Sequence, residues 1–195
     1  MKKFAELLNN LYFTYSHLDK MTLLNNFFAN TADPERGYAL AIMANTLEFP
    51  TFTRKILKEL VQTNADPILF DLSYDFVGDI SETIALLWPD SNLKKELPLL
   101  SDLIMTFQGI DNAQIKTYLI DLLNQSDVNE RWAILKLGTG SLRIGISARF
   151  LKKSLAKYGS VNVQEIERIW HGIQPPYTEL FDWLEKKTTT PLMKD

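Results

Sequence analysis

The stretch Gly138-Thr139-Gly140-Ser141-Leu142-Arg143-Ile144-Gly145-Ile146-Ser147 has the composition of a phosphate-binding turn. Three glycines permit positive φ angles and a close approach of the backbone to a ligand. Ser147 is a residue type that caps helices, so a helix is predicted to open around Ile146 or Ser147. The first amides of such a helix have no partner within it, and with the helix dipole they favour an anion. Arg143 precedes the predicted start, and Arg149, Lys152 and Lys153 fall on its first two turns. The chemistry expected of these residues is the binding of phosphates.

Residues for bond-making are scarce. Cysteine is absent and the two histidines, His17 and His171, stand apart from each other and from any acidic cluster, so no disulfide and no Cys/His zinc site can be assembled. A reducing, cytoplasmic setting is expected. The acidic pairs Asp71/Asp75 and Asp79/Glu82 have helical spacing, and Asp79 or Ser81 reads as a helix cap rather than a magnesium ligand. Trp88, Trp132, Trp170 and Trp183 lie in amphipathic patterns and read as core or helix-junction anchors. No catalytic residue, no metal ligand and no cofactor site is expected within these 195 residues.

The formal net charge of −3 argues by itself against a polyanionic partner, but the charge is segregated. Arg131 to Gln164 contains seven basic residues (Arg131, Lys136, Arg143, Arg149, Lys152, Lys153 and Lys157) and no acid, against 14 basic and 24 acidic residues elsewhere. This is the pattern of a polyanion-facing surface on an acidic body. No run approaches the ~20 apolar residues that cross a bilayer, and the start of the chain lacks the apolar core of a secretory signal.

The elements that must hold the turn are helices. Apolar residues recur at helical spacing, as in Phe4, Leu7, Leu8, Leu11 and Tyr12 and again in Ile115, Leu119, Leu122 and Leu123. Glycine and proline gather at junctions such as Asp33-Pro34, Asp66-Pro67, Trp88-Pro89, Tyr158-Gly159 and Pro175-Pro176. An all-α, compact fold of about ten or more short helices is expected. Glu35 to Leu60 aligns without a gap to Glu130 to Leu155, with seven identities in 26 positions, which predicts an internal pseudo-two-fold repeat of helix-turn-helix units near 35–60 and 130–155. In the first copy Pro50 stands in the place of Gly145 and is read as part of a helix's opening turn, with Thr51, Thr53, Arg54 and Lys55 as the counterparts of the second copy's binding residues.

The run from Arg131 to Arg149, above all Gly140-x-Leu142-Arg143-Ile144-Gly145, resembles the signature of the N-terminal DNA-binding domain of ATP-dependent DNA ligases. Gly78-Asp79-Ile80-Ser81-Glu82-Thr83-Ile84-Ala85-Leu86-Leu87, Trp170-His171-Gly172 and Pro175-Pro176-Tyr177 are similar to the bacterial branch of that family. The resemblance implies an all-helical domain that lies across the minor groove on both sides of a nick, as part of an enzyme that seals DNA in replication, repair or recombination. Carried over residue by residue, it assigns DNA binding to Gly140, Leu142, Arg143, Gly145 and Ser147, with Arg149 and Lys153 beside them; Ser141, Ile146 and Lys152, in the same turn and helix, complete the expected DNA-binding set. Glu48 stands where the second copy has Arg143, so the two copies are not expected to grip equally.

A complete ligase of this kind uses a lysine in a K-x-D-G setting to accept AMP, and an OB-fold domain follows it. No such motif and no G-x-x-x-x-G-K-[ST] loop occurs here. The expectation is therefore a binding domain over 1–187, inactive alone, and a linker over 188–195 toward an adenylation domain outside this chain. ATP and magnesium belong to the parent enzyme on this reading, and the partners are nicked duplex DNA and the ligase's own adenylation and OB-fold domains. The domain is expected to be a monomer. The competing reading is an α-helical scaffold whose basic face contacts an acidic protein.

Overall fold

The computed structural model describes residues 1–64, 66–91, 95–140 and 142–189, and every described regular element is a helix. In chain order they are α1 (Lys2–Phe13), α2 (His17–Asn30), α3 (Glu35–Met43), α4 (Arg54–Asn64), α5 (Pro67–Val77), α6 (Ile80–Leu87), α7 (Leu100–Gly109), α8 (Ile115–Gln125), α9 (Val128–Leu137), α10 (Ala148–Gly159), α11 (Val163–Ile169) and α12 (Thr178–Leu184). None is long and apolar enough to cross a membrane.

Local sequence explains where many helices begin. Asp66 accepts from the amides of Ile68 and Leu69 with Pro67 as the first helical residue, so α5 opens on a capping side chain and a pre-set φ. Asp127 and Glu130 form a reciprocal capping box at α9, and Asn162 and Glu165 do the same at α11. Asp79, not Ser81, caps α6; the Ser81 hydroxyl is buried and finds no hydrogen-bond partner among the described residues. Gly159 does not end α10 through a left-handed turn. That role falls to Ser160 at φ 50°, while a Cβ on Gly159 would stand 2.5 Å from Leu184 Cδ2.

The chain forms two compact units, Met1–Asn9 with Glu48–Leu142 and Asn10–Leu47 with Arg143–Asp195. The first has α9 near its centre, packed on α6. Residues 131–137 are all buried, and two of them are cations. Arg131 is 1% exposed and donates to the carbonyls of Leu123 (2.9 Å) and Trp88 (3.2 Å). Lys136 pairs with Asp79 and lies over the Trp132 ring. Phe107 is fully buried beside Phe52, with ring centroids 4.6 Å apart, and Gly138 is required there because a Cβ would enter the Phe52 ring.

The second unit centres on α10, which packs against α2, α3, α11 and α12. Phe28, Tyr158 and Phe181 make a ring cluster, over which Arg36 lies 4.2 Å from the Phe181 centroid. Arg36 also forks onto Asp33 (2.9 and 2.7 Å), bonds Glu185 and donates to the Phe28 carbonyl at 3.1 Å. Burial opposes its charge, and the two carboxylates more than offset that, so its pKa is raised.

Some residues 95 positions apart share a local feature. Arg36 and Arg131 each donate to the carbonyl eight residues upstream, Phe28 in one case and Leu123 in the other. Asn45 and Gly140 both adopt left-handed backbone, at φ 55° and 67°. Leu24/Leu119, Leu40/Leu135 and Leu60/Leu155 are fully buried pairs. Each unit holds one helix of each aligned segment: α4 and α9 lie in the first, α3 and α10 in the second.

Candidate nucleic-acid interface

In the second unit the predicted helix start is present as α10. Ser147 is its N-cap and accepts from the Phe150 amide at 3.1 Å, which leaves the amides of Ala148 and Arg149 as the outward donors of the first turn. Two left-handed residues precede it, Arg143 at φ 52° and Gly145 at φ 68°. For a residue with a Cβ, as at Arg143, that conformation costs about 1–2 kcal/mol, a strain that needs support from its surroundings.

The support comes from α2. Lys20 is only 7% exposed, and its ammonium donates to the Ile144 carbonyl at 2.6 Å. A Cβ on Gly145 would stand 2.7 Å from that same Nζ and would displace the ammonium, while the φ of 68° is what requires glycine here. Among the described residues Lys20 forms no ion pair, and a single neutral carbonyl leaves two of its three protons without a described acceptor. A buried cation without a counter-charge is costly, and an anion seated at the turn would relieve it. No motif marks Lys20 in the sequence, and its one signal is spacing: Lys20, Leu24 and Phe28 share one helical face, and all three are buried, so a lysine occupies a core-face position.

Along α10 the cations are sorted by face. Arg149, Lys153 and Lys157 are exposed at four-residue spacing and form no ion pair among the described residues. Leu151, Ser154 and Leu155 are buried opposite them. Lys152 is half-buried, its ammonium 5.2 Å above the Trp170 ring, which stacks on Tyr177. Arg143 is exposed and Ile146 half-buried. Of the seven basic residues in the acid-free window, then, five lie on this unit's outer region or its edge. The other two, Arg131 and Lys136, are core groups of the first unit, and counting them toward a binding surface was wrong.

In the first unit Gly140 is exposed at φ 67° with nothing within 4 Å of where a Cβ would stand, so only its backbone conformation calls for glycine. Leu142 is half-buried; Ser141 lies outside the described residues. Gly138 has an ordinary negative φ of −80° and owes its identity to Phe52, a correction to the expectation that all three glycines supply positive φ.

The counterpart positions before α4 differ from the second copy. Pro50 stands four residues ahead of Arg54 and takes no part in the opening turn; the Thr53 carbonyl accepts the first helical bond, from the Leu57 amide at 3.2 Å. Thr51 is engaged with the Ile110 carbonyl at 3.1 Å, and the Arg54 guanidinium is bonded to the Tyr74 hydroxyl. Lys55 is exposed, 4.0 Å from Glu59, whose carboxyl is held below its ordinary pKa chiefly by its hydrogen bond with Lys116.

The His17 ring lies tilted beside Phe150 with centroids 5.5 Å apart, and His171 is exposed. No group of three or more His, Asp or Glu side chains among the described residues is placed to hold a metal ion. The arrangement around α10 groups outward backbone amides and exposed cations, donors of the kind that phosphate oxygens accept from. No protein-family model matches the chain, and no curated protein matches it in sequence.

Proposed function

We propose that the chain binds duplex DNA without sequence preference, through backbone phosphates and the minor groove around a nick, as the N-terminal domain of an ATP-dependent DNA ligase. The observation that carries the reading is the start of α10: a buried, uncompensated Lys20 ammonium beneath the Gly145 turn, two outward amides, and an exposed Arg149/Lys153/Lys157 stripe running from it. Amides and cations of this kind contact phosphate oxygens common to every sequence. The ligase assignment rests on the resemblance of Gly140-x-Leu142-Arg143-Ile144-Gly145 and its flanks, together with the local features that some residues 95 apart share. ATP, magnesium and the nick-sealing chemistry belong on this reading to adenylation and OB-fold domains beyond these residues.

The test is a gel-shift titration with nicked and intact duplexes of unrelated sequence at several salt concentrations. Binding independent of sequence, with log affinity falling by about 4 to 5 per tenfold increase in salt, is expected if ~4 to 6 phosphates are neutralised. A flat salt response, or strong discrimination between unrelated duplexes, overturns the reading and favours the helical-scaffold alternative.

A further inference from the structure

The first unit carries a second surface of opposite character. On α5, Ile68, Leu69, Leu72 and Phe76 are 74%, 52%, 66% and 93% exposed. They fall on one face of the helix, while Phe70 packs inward and stacks on Tyr74. Leu86 of α6, 58% exposed, continues the apolar surface, and an open groove of about 320 Å³ runs between the two helices under Leu72, Phe76 and Leu86. Single exposed apolar residues need no explanation, but four on one helical face with a groove beside them mark a contact surface.

Its charge says what it contacts. Residues 61–93 contain six acids and no lysine or arginine. Asp66 and Asp79 are used as helix caps, and Asp79 also holds Lys136. Asp71 and Asp75 lie one turn apart along the edge of the apolar stripe, both exposed and without an ion pair among the described residues. One cation reaches this helix, Arg54, whose guanidinium donates to the Tyr74 hydroxyl; the two exposed carboxylates outnumber it. An acidic rim repels nucleic acid and anionic lipid, and it complements a cationic segment.

We propose that the α5–α6 face docks a cationic amphipathic helix of a partner protein, whose apolar side chains enter the groove while its lysines or arginines meet Asp71 and Asp75. Helix-in-groove recognition reads apolar anchors at three- and four-residue spacing, and Leu72 and Phe76, one turn apart on α5, with Leu86 on α6 line the groove such anchors would enter. The proposal does not depend on DNA binding by α10 and stands or falls separately.

The probe is a fluorescent synthetic helical peptide with leucine on one face and lysine on the other, compared with a twin bearing glutamate for lysine, each titrated against the full chain by anisotropy. The lysine peptide is expected to bind at least about tenfold more tightly than its twin, and Leu72→Ser or Phe76→Ser to weaken it about tenfold, as removal of a central anchor does. Asp71→Asn with Asp75→Asn is expected to weaken it a few-fold and to reduce its salt dependence. Met105→Ser, at an exposed apolar residue of α7, serves as the control and should change nothing. All these side chains are solvent-exposed, and circular dichroism verifies that each variant is folded. Equal binding of the two peptides, or lysine-peptide binding that survives Leu72→Ser and Phe76→Ser, overturns the proposal. So does a concentration-dependent dimer abolished by Phe76→Ser, which makes a second copy the occupant, or vesicle binding lost in that variant, which makes it a lipid surface.

Discussion

The Lys20 ammonium sits 2.6 Å from the Ile144 carbonyl, 124 residues further along the chain. The contact links the first turn of α2 to the loop that launches α10, and it places a buried positive charge under the very residue whose glycine identity the backbone demands. If that charge belongs to the phosphate seat, Lys20→Met should weaken duplex binding more than Lys157→Ala and lower the salt slope by about 1, as loss of one phosphate-neutralising cation does. Methionine preserves the packing of the stem. A slope identical to wild type would reduce Lys20 to a brace.

Substitutions in the turn itself should rank by geometry. Gly145→Val is strained at φ 68° and drives its Cβ against Lys20, so it should weaken DNA binding most, provided circular dichroism shows a folded protein. Arg143→Ala should follow, and Lys157→Ala, an exposed and screened contact, should matter least. If folded Gly145→Val binds like wild type while Lys157→Ala loses most affinity, the helix-start seat gives way to a diffuse electrostatic surface.

Arg131 and Lys136 show what a linear charge count misses. Both belong to the acid-free window, yet residues 131–137 of α9 are buried one after another, which makes them core groups. Removing Arg131 strands three backbone carbonyls and a cavity, so Arg131→Ala should cost about 3–5 kcal/mol in urea unfolding. The salt slope of DNA binding by the folded fraction should stay unchanged. A lower slope without loss of stability would return Arg131 to the binding surface.

The local features of the fold were readable because each is written within a few residues. Asp66-Pro67 opens α5, Asp127 with Glu130 opens α9, Ser147 opens α10, and the Ile115/Leu119/Leu122/Leu123 stripe is buried as its spacing predicts. What escaped depends on partners distant in sequence. Lys20 acquires its meaning from Ile144, Gly138 from Phe52 and Gly159 from Leu184, and no local pattern announces any of them. Pro50 fits a helix start by residue type, yet the helix begins only at Arg54.

Gly37 offers a sharp test of packing in the second unit. A Cβ there would collide with the backbone carbonyl of Pro176, whereas Gly78, at φ 71°, has nothing within 4 Å. Gly37→Ala should therefore destabilise by about 3 kcal/mol or more, since a backbone segment has to move. Gly78→Ala carries only the conformational penalty of about 1 kcal/mol. Thermal melts of the two variants should differ clearly, and equal shifts would show that the Pro176 segment yields freely.

Acid should loosen the second unit through Glu185. Its carboxyl is held down to about 2 from the ordinary 4.5, first by the hydrogen bond from Arg36, with Lys187 and Tyr158 adding to it and burial acting the other way. Between those two pH values the unfolded chain binds a proton that the folded chain refuses. The stability from this contact is thus complete above about pH 4.5 and disappears as the pH falls toward 2. Glu185→Gln keeps the shape and removes the charge, so at pH 7 it should lower the unfolding free energy by about 1–3 kcal/mol, with Asp33 still holding the other edge of Arg36. The variant's stability should then decline less steeply than wild type between pH 4.5 and 2, because one proton uptake has been deleted. Urea unfolding followed across that interval checks both parts. Parallel curves for wild type and Glu185→Gln would mean that other carboxylates govern the acid response and that the Arg36–Glu185 contact adds nothing to it.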